Sequence, residues 1–118
     1  MNDTVLDIGG PIRVREYGGP GSLIILVHGL GGSTENWDVT GPLLTEHGTV
    51  TALDLVGCGE STPGDRRPSV DEHGRVVAEV SAALGFEAAT LVGNSRGGLV
   101  SMLTAVEHAS RVDRLVLV

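Results

Sequence analysis

The chain has 118 residues, of which 41% are hydrophobic and 3% aromatic, and its formal net charge is −7. This length suffices for one domain with an apolar core. All eight basic residues are arginine, and the acidic balance argues against a nucleic-acid or anionic-membrane surface. The absence of lysine excludes a nucleotide hydrolase's phosphate-binding loop, and a single cysteine, Cys58, excludes an internal disulfide.

The sequence shows no membrane span and no secretory signal. No apolar stretch approaches the roughly 20 residues that a span requires, and the amino terminus lacks a basic start followed by an apolar run. We therefore expect a cytoplasmic protein that binds neither membranes nor nucleic acid. The 18 glycines fall at the ends of apolar runs rather than in repetitive polar tracts, which indicates tight turns instead of a linker.

Taken in chain order, the predicted strands begin with a hairpin. Segments 4–8 and 12–17 flank a Gly-Gly-Pro turn and predict two antiparallel strands. Continuous apolar runs then predict strands that are buried on both faces, at 23–27, 49–55, 88–93 and 112–118.

Helical patterns separate these strands, at 34–44, 69–85 and 97–109. Thr34 is the predicted cap of the first helix, which is interrupted near Gly41. Ser69 is the predicted cap of the second, with Glu72 completing a capping box and Gly85 ending the helix. Alternation of strands and helices predicts an α/β fold: a mostly parallel sheet with an N-terminal antiparallel hairpin and helices on both faces.

Three glycine-rich turns follow predicted buried strands, at 28–33, 57–61 and 93–98. Because parallel strands end at the same edge of a sheet, all three turns should lie together. Ligands of such sheets bind outside the carboxyl ends of the strands. The sequence therefore predicts a functional site at this edge.

The turn at 93–98 fits the pattern Gly-x-Ser-x-Gly, with Ser95 between a strand and a helix. A serine held in such a turn presents its hydroxyl clear of its neighbours, which favours a nucleophile. The backbone N–H of Arg96 opens the helix, and the free N–H of Leu30 could pair with it to stabilise an oxyanion. The alternative is a serine that only caps the helix.

Four stretches carry a resemblance that covers nearly the whole chain: 27–33 with Trp37, 54–61, 91–98 and 111–118. In order and spacing the chain resembles the N-terminal half of the α/β-hydrolase fold family, from the first hairpin through the sixth strand. Residues 1–118 would then form a partial α/β-hydrolase domain, without the lid, the catalytic acid and the catalytic histidine. The resemblance implies no metal and no organic cofactor.

The resemblance also implies a reaction class. Ser95 in place of an aspartate is similar to the serine-dependent branches, which act by acyl transfer on small esters, thioesters, lactones or C–C bonded ketones. The Gly-Asn-Ser-x-Gly-Gly form is similar to carbon–carbon bond hydrolases of aromatic ring-cleavage products. A serine without a base is a poor nucleophile near neutral pH, so we expect this chain alone to be inactive or impaired.

The titratable residues present do not supply that base. His28 is interpreted as structural, with its imidazole bonded to loop carbonyls, and Asp54 is interpreted as tying down the second glycine turn. His47 and His108 should lie at the opposite edge of the sheet, and His73 should be solvated in the first turn of a helix.

Two further side chains near the predicted site have open interpretations. The Arg96 side chain would either favour an acidic substrate or pair with a nearby carboxylate. Cys58 is a loop thiol without an identifiable activating partner, so a nucleophile role is not expected.

The predicted last strand is apolar from Leu115 to Val118 and has no following partner. An edge of this kind exposes unpaired backbone groups, so we expect a homodimer or a complementing C-terminal half to cover it. Two alternatives to a serine hydrolase are a non-catalytic hydrolase fragment and, as another enzyme class, a dinucleotide-binding domain. The second rests on Gly29 and Gly31 after a buried strand and on Asp54 in the position of a ribose-binding acid.

Overall fold

Six strands form one sheet in the computed structural model, which describes residues 1–118. In chain order they are β1 (Asn2–Asp7), β2 (Pro11–Gly18), β3 (Leu23–Val27), β4 (Thr49–Leu53), β5 (Ala89–Gly93) and β6 (Val112–Leu117). Their order across the sheet is β1-β2-β4-β3-β5-β6. β1 pairs with β2 and β2 with β4 in antiparallel fashion, and all other neighbours are parallel, which confirms the predicted mixed sheet.

The helices are α1 (Thr40–Leu43), α2 (Val70–Ala83) and α3 (Arg96–Glu107), with short 3₁₀ helices at Thr34–Trp37 and Ala109–Arg111. The first predicted helix is therefore two short pieces. Its cap is Ser33 rather than Thr34, because Ser33 has the extended backbone of a capping residue. The side-chain oxygen of Asn36 accepts the Ser33 N–H, which closes the first turn.

The ends of α2 follow the sequence with one exception. The Ser69 hydroxyl accepts the Glu72 N–H at 3.2 Å, as predicted for a cap. The prediction of a capping box is wrong in its reciprocal hydrogen bond. The Glu72 carboxylate binds Arg75 instead, and the Ser69 N–H donates to a loop carbonyl. Gly85, with φ of 86°, ends the helix in a left-handed turn that allows two backbone N–H groups to bond its last carbonyls.

The sheet has a thick apolar core on one face and a thin core on the other. α2 and α3 contribute to the first, a cluster of 15 buried residues that includes Ile25, Val27 and Leu91. On the other face only four buried residues cluster, and Trp37 packs there beside Leu26. Because side chains alternate along a strand, each strand supplies both faces. Helices therefore flank both faces, as predicted, but the second face is only partly covered.

Candidate active site

Ser95 lies at the sharp turn between β5 and α3. Its backbone has φ of 55° and ψ of −119°, and it is the one non-glycine residue of the chain with positive φ. The turn is fixed by the Asn94 N–H, which donates to the Val27 carbonyl at 3.1 Å, and by the Ser95 N–H, which donates to the Val118 carbonyl at 3.3 Å. Such a conformation costs about 1–3 kcal/mol and is typical of functional positions.

Close backbone packing explains the glycines on either side of Ser95. A Cβ atom on Gly97 would lie 2.1 Å from the Val27 carbonyl oxygen and 2.5 Å from that of His28. A Cβ atom on Gly93 would lie 2.4 Å from the Gly97 carbonyl oxygen. Only glycine fits where α3 begins against β3, so the Gly-x-Ser-x-Gly pattern is a steric requirement of this turn.

Backbone N–H groups remain available at this end of the strands. Those of Leu30 and Arg96 take no part in the hydrogen bonds of the fold, whereas the Gly97 N–H donates to the Asn94 carbonyl at 2.8 Å. Arg96 is the first residue of α3, where N–H groups lack intrahelical acceptors. A Cβ atom on Gly29, next to Leu30, would lie 3.4 Å from the Ser95 Cβ. The two predicted turns therefore meet at Ser95.

Ser95 opens onto a cleft of about 830 Å³. The glycine turn after β3 forms one side, and apolar side chains from the partly covered face of the sheet form the floor. Residues that contribute to the lining include Leu30, Trp37, Leu44, Val92, Asn94 and Val116. The structure thus brings Ser95 and Leu30 to one concave, largely apolar surface.

His28 is a structural residue, as interpreted from the sequence. It is buried, its Nδ1 lies 2.7 Å from the Gly29 carbonyl oxygen, and its Nε2 accepts the Leu55 N–H at 3.0 Å. These partners require a neutral ring with the proton on Nδ1. Burial lowers the pKa of His28, which favours the same neutral form. Neither nitrogen is free to take a proton from Ser95.

Asp54 links the segment after β3 to the glycine-rich turn after β4. Its fully buried carboxylate accepts the Thr34 N–H and the Glu60 N–H, both at 2.8 Å, and pairs with the Arg13 Nε at 2.7 Å. The Ser61 hydroxyl donates to the Asp54 carbonyl at 2.7 Å. These bonds join the segment after β3 to the turn after β4, which confirms the structural interpretation of Asp54.

Arg13 and Arg15 form an ion-pair network that was not predicted from the sequence. Besides Asp54, Arg13 binds Glu60 at 2.6 Å and Glu35 at 2.9 Å, although only 4% of its surface is exposed. Arg15 binds Asp3 and Asp38 at 2.7 and 3.0 Å. The sequence signal for this network was the alternation of Arg13 and Arg15 with apolar residues along β2, in a chain that is rich in acidic residues.

The network also sets the charge of Glu35. A hydrogen bond from Ser33, a backbone N–H and the Arg13 guanidinium together lower the pKa of Glu35 to about 2. Glu35 lies two residues after the glycine turn, so its carboxylate, ionised across the neutral pH range, anchors the turn that carries Leu30.

His73 is buried, contrary to the prediction of a solvated side chain. Only 3% of its surface is exposed, and its Nδ1 has no hydrogen-bond partner. Burial and the Arg96 charge lower the pKa of His73 to about 4. The missed signal is periodicity, because His73 shares the helix face of Val76, Val77 and Val80.

This burial predicts a pH-dependent loss of stability. The folded-state pKa of His73, about 4, is below the unfolded value near 6.5, so the unfolded chain binds the proton first as the pH falls. The contribution is fully present above pH 6.5 and is lost toward pH 4. Between pH 7 and pH 4.5 we expect a loss of about 2 kcal/mol in the free energy of unfolding.

Urea unfolding at a series of pH values measures this loss, and His73→Gln is the control. The variant retains His28 and every carboxylate, so its curve should be flatter than the wild-type curve by that amount. Parallel curves for the two proteins would contradict a buried neutral His73.

The other titratable residues considered from the sequence have no contact that would make them a general base for Ser95. His47 and His108 precede β4 and β6, so they lie near the amino-terminal ends of the strands, whereas Ser95 follows the carboxyl end of β5, as predicted. Arg96 has no carboxylate within 4.0 Å, so the pairing expected as one alternative does not form. Burial and the Asp54 charge raise the pKa of the Cys58 thiol, which disfavours a thiolate.

No group of three or more His, Cys, Asp and Glu side chains is arranged to hold a metal ion. None of the helices has the length and apolar character needed to cross a bilayer.

The fold agrees with comparisons with known proteins. A sequence model of the alpha/beta hydrolase fold family matches residues 22–118. This chain belongs to the alpha/beta hydrolase fold family. The dinucleotide-binding alternative is therefore set aside.

Individual relatives have several activities. The chain is 39% identical over 114 residues to the dihydrolipoyllysine-residue acetyltransferase component of the acetoin cleaving system of Pseudomonas putida, covering 95% of this chain and 31% of that protein. It is 39% identical over 103 residues to the 2-hydroxy-6-oxo-2,4-heptadienoate hydrolase of Pseudomonas putida strain F1, covering 84% and 37%. The chain thus spans about a third of these relatives.

Solved structures give the same picture. A membrane phospholipase A described as a bacterial virulence factor matches with a TM-score of 0.91 at 33% identity, covering 98% of this chain and 38% of that chain. The meta-cleavage product hydrolase from Pseudomonas fluorescens IP01 matches with a TM-score of 0.87 at 32% identity, covering 98% and 43%.

Proposed function

We propose that this chain carries the nucleophile and the oxyanion hole of a serine hydrolase that acts by acyl transfer. The observation that carries the proposal is the positive φ of Ser95 at a strand–helix turn, beside the unengaged N–H groups of Leu30 and Arg96. A strained backbone of this kind persists only where the surrounding structure enforces it. Here the glycine contacts on both sides of Ser95 do so.

Two parts of the proposed chemistry lie in this chain, the nucleophile and the oxyanion hole. The Ser95 Oγ would attack the substrate carbonyl carbon, and the oxyanion formed would accept hydrogen bonds from the N–H groups of Leu30 and Arg96. Loss of one such donor typically costs 10²–10³-fold in rate, about 3–4 kcal/mol. No histidine side chain hydrogen-bonds to the Ser95 hydroxyl, so the proposed turnover requires a further general base.

The proposed substrates are small esters, thioesters, lactones or C–C bonded ketones. The apolar floor of the cleft beside Ser95 suits an uncharged acyl group. Cleavage of a C–C bonded ketone is supported by the Gly-Asn-Ser-x-Gly-Gly turn and by the similarity to the heptadienoate and meta-cleavage product hydrolases.

A fluorophosphonate probe tests the nucleophile directly. We expect slow covalent labelling of the intact chain at Ser95, at least tenfold faster than any labelling of Ser95→Ala, because the oxyanion hole is present and the base is not. Intact-mass spectrometry followed by peptide mapping measures the rate and the site.

Ser110→Ala is the matched control, since Ser110 is exposed and lies at the opposite edge of the sheet. It should label at the wild-type rate. An intact folded chain that does not label above the Ser95→Ala background would favour the non-catalytic fragment instead.

A further inference from the structure

Leu30, which carries one of the two proposed oxyanion donors, is not held in place by its own side chain. That side chain is 83% exposed, and the Leu30 N–H is not bonded within the fold. Leu30 is the second residue of a β-turn, which the Gly32 N–H closes by donating to the Gly29 carbonyl at 3.1 Å. Gly31, the third residue, has φ of 72°. The direction of the Leu30 N–H therefore depends on what holds the two ends of this turn.

The first end of the turn is held by the sheet. His28 directly follows β3, and its Nε2 accepts the Leu55 N–H. Gly29 packs closely against the turn that contains Ser95, since a Cβ atom on Gly29 would lie 3.2 Å from the Asn94 carbonyl oxygen. Backbone groups and a buried neutral side chain therefore fix this end, without an ionised group.

The second end of the turn is held by side chains of β2. Arg13, Arg15 and Tyr17 alternate along β2, so they project from one face of that strand. Each of them binds the segment 34–38, which follows the turn and contains a 3₁₀ helix. The pairs are Arg13 with Glu35, Arg15 with Asp38, and Tyr17 with both Asp38 and the Thr34 carbonyl. One strand of the N-terminal hairpin thus holds the segment that continues the turn.

Glu35 connects this segment back to the turn. Its carboxylate accepts two hydrogen bonds from the Arg13 guanidinium, at 2.9 and 3.1 Å, and a third from the Ser33 hydroxyl. The Ser33 N–H donates to the Asn36 Oδ1 at 2.8 Å. Both polar groups at the last residue of the glycine turn are therefore bound, and the bonds to the Glu35 carboxylate are of the strong, charge-assisted kind.

Glu60 offers a comparison within the same network. It also binds Arg13, at 2.6 Å, and its side chain is largely exposed. Glu60 belongs to the turn at 57–61, which contains neither the proposed nucleophile nor a proposed oxyanion donor. Neutralising either carboxylate takes one partner from the same guanidinium, so effects on the network alone should be similar. An effect on the Leu30 N–H should appear for Glu35 only.

We propose that Glu35 is a positioning residue, which holds the Leu30 N–H in the orientation that an oxyanion at Ser95 requires. The proposal rests on the proposed serine hydrolase function, because the Leu30 N–H takes part in catalysis only if Ser95 is the nucleophile. Arg13 connects Glu35 to β2, so the N-terminal hairpin helps to form the site although none of its residues lines the cleft.

The test compares Glu35→Gln and Glu60→Gln with the wild type in the full 118-residue chain. Nitrogen-15 relaxation measures the order of the Leu30 amide without any reaction, and fluorophosphonate labelling measures the reactivity of Ser95. In Glu35→Gln we expect the Leu30 order parameter to fall from about 0.85 toward about 0.6. We expect labelling to slow by about 10- to 100-fold, because the donor is displaced but not removed. Glu60→Gln should match the wild type in both measurements.

Ser33→Ala removes only the hydroxyl that donates to Glu35, and it should give a smaller loss in both measurements. Equal behaviour of Glu35→Gln and Glu60→Gln, or a Leu30 amide that stays ordered in Glu35→Gln, would overturn the proposal. Loss of order with unchanged labelling would also overturn it, since the N–H would then contribute nothing to the reaction. A wild type that does not label, with loss of order in Glu35→Gln, would confirm the ordering by Glu35 and overturn the proposed nucleophile.

Discussion

Replacing Arg13 by alanine is expected to lower the free energy of unfolding by about 3–5 kcal/mol, the usual cost of removing one partner of a buried ion pair. Asp54 would remain fully buried without its cation, and Glu35 and Glu60 would lose the guanidinium that joins them. Urea unfolding at pH 7, followed by circular dichroism, measures the change.

Arg75→Ala is the matched control for Arg13→Ala. Arg75 also pairs with two carboxylates, those of Glu72 and Glu79, but the pairs lie on the partly exposed surface of α2. Exposed pairs contribute about 0–1 kcal/mol, so the control should lose no more than that. Equal losses in the two variants would show that burial of Arg13 adds nothing.

The second large effect is expected for Gly97→Ala. The new methyl group would overlap the carbonyl oxygens of Val27 and His28, and backbone atoms cannot rotate away as a side chain can. We expect a loss of about 3 kcal/mol in unfolding free energy. Displacement of the turn by about 1 Å should also slow labelling of Ser95 about 100-fold.

Gly98→Ala separates this steric effect from a general effect on α3. A Cβ atom on Gly98 would lie 3.4 Å from the Gly93 carbonyl oxygen and 3.5 Å from Leu117 Cδ2, which are ordinary contacts. Alanine favours a helix over glycine by up to about 1 kcal/mol. The control should therefore be as stable as the wild type or slightly more stable, with unchanged labelling. If Gly98→Ala were also destabilised, the loss in Gly97→Ala would be due to the helix α3 rather than to the close packing of Gly97 against β3.

Local patterns predicted most of the fold because its strands are continuous apolar runs. The strand at 23–27 was predicted with its observed bounds, and the others differ by one or two residues at their ends. The helix after Ser69 was equally clear from its cap, its periodicity and Gly85. The helix at 34–44 was not, since Pro42 and the short pieces around it carry little periodicity.

Some parts of the candidate site are encoded locally in the sequence, and others depend on contacts between distant residues. The turn around Ser95 is encoded within six residues and in the apolar strand and helix beside them, so local sequence predicts it. The Arg13 network joins residues 41 and 47 positions apart, and no local pattern states which carboxylates a strand arginine will meet. The burial of His73 could have been predicted from helical periodicity. Its polar side chain instead favoured the prediction of a solvated residue, and the packing of α2 buries it.

The hydrogen bond from the Ser95 N–H to the Val118 carbonyl has a mechanical consequence. The backbone of the proposed nucleophile is held on one side by β3, through Asn94, and on the other by the outermost strand of the sheet. Fraying of that strand would release one of the two restraints that keep φ positive at Ser95. The order of β6 and the backbone conformation of Ser95 are therefore coupled.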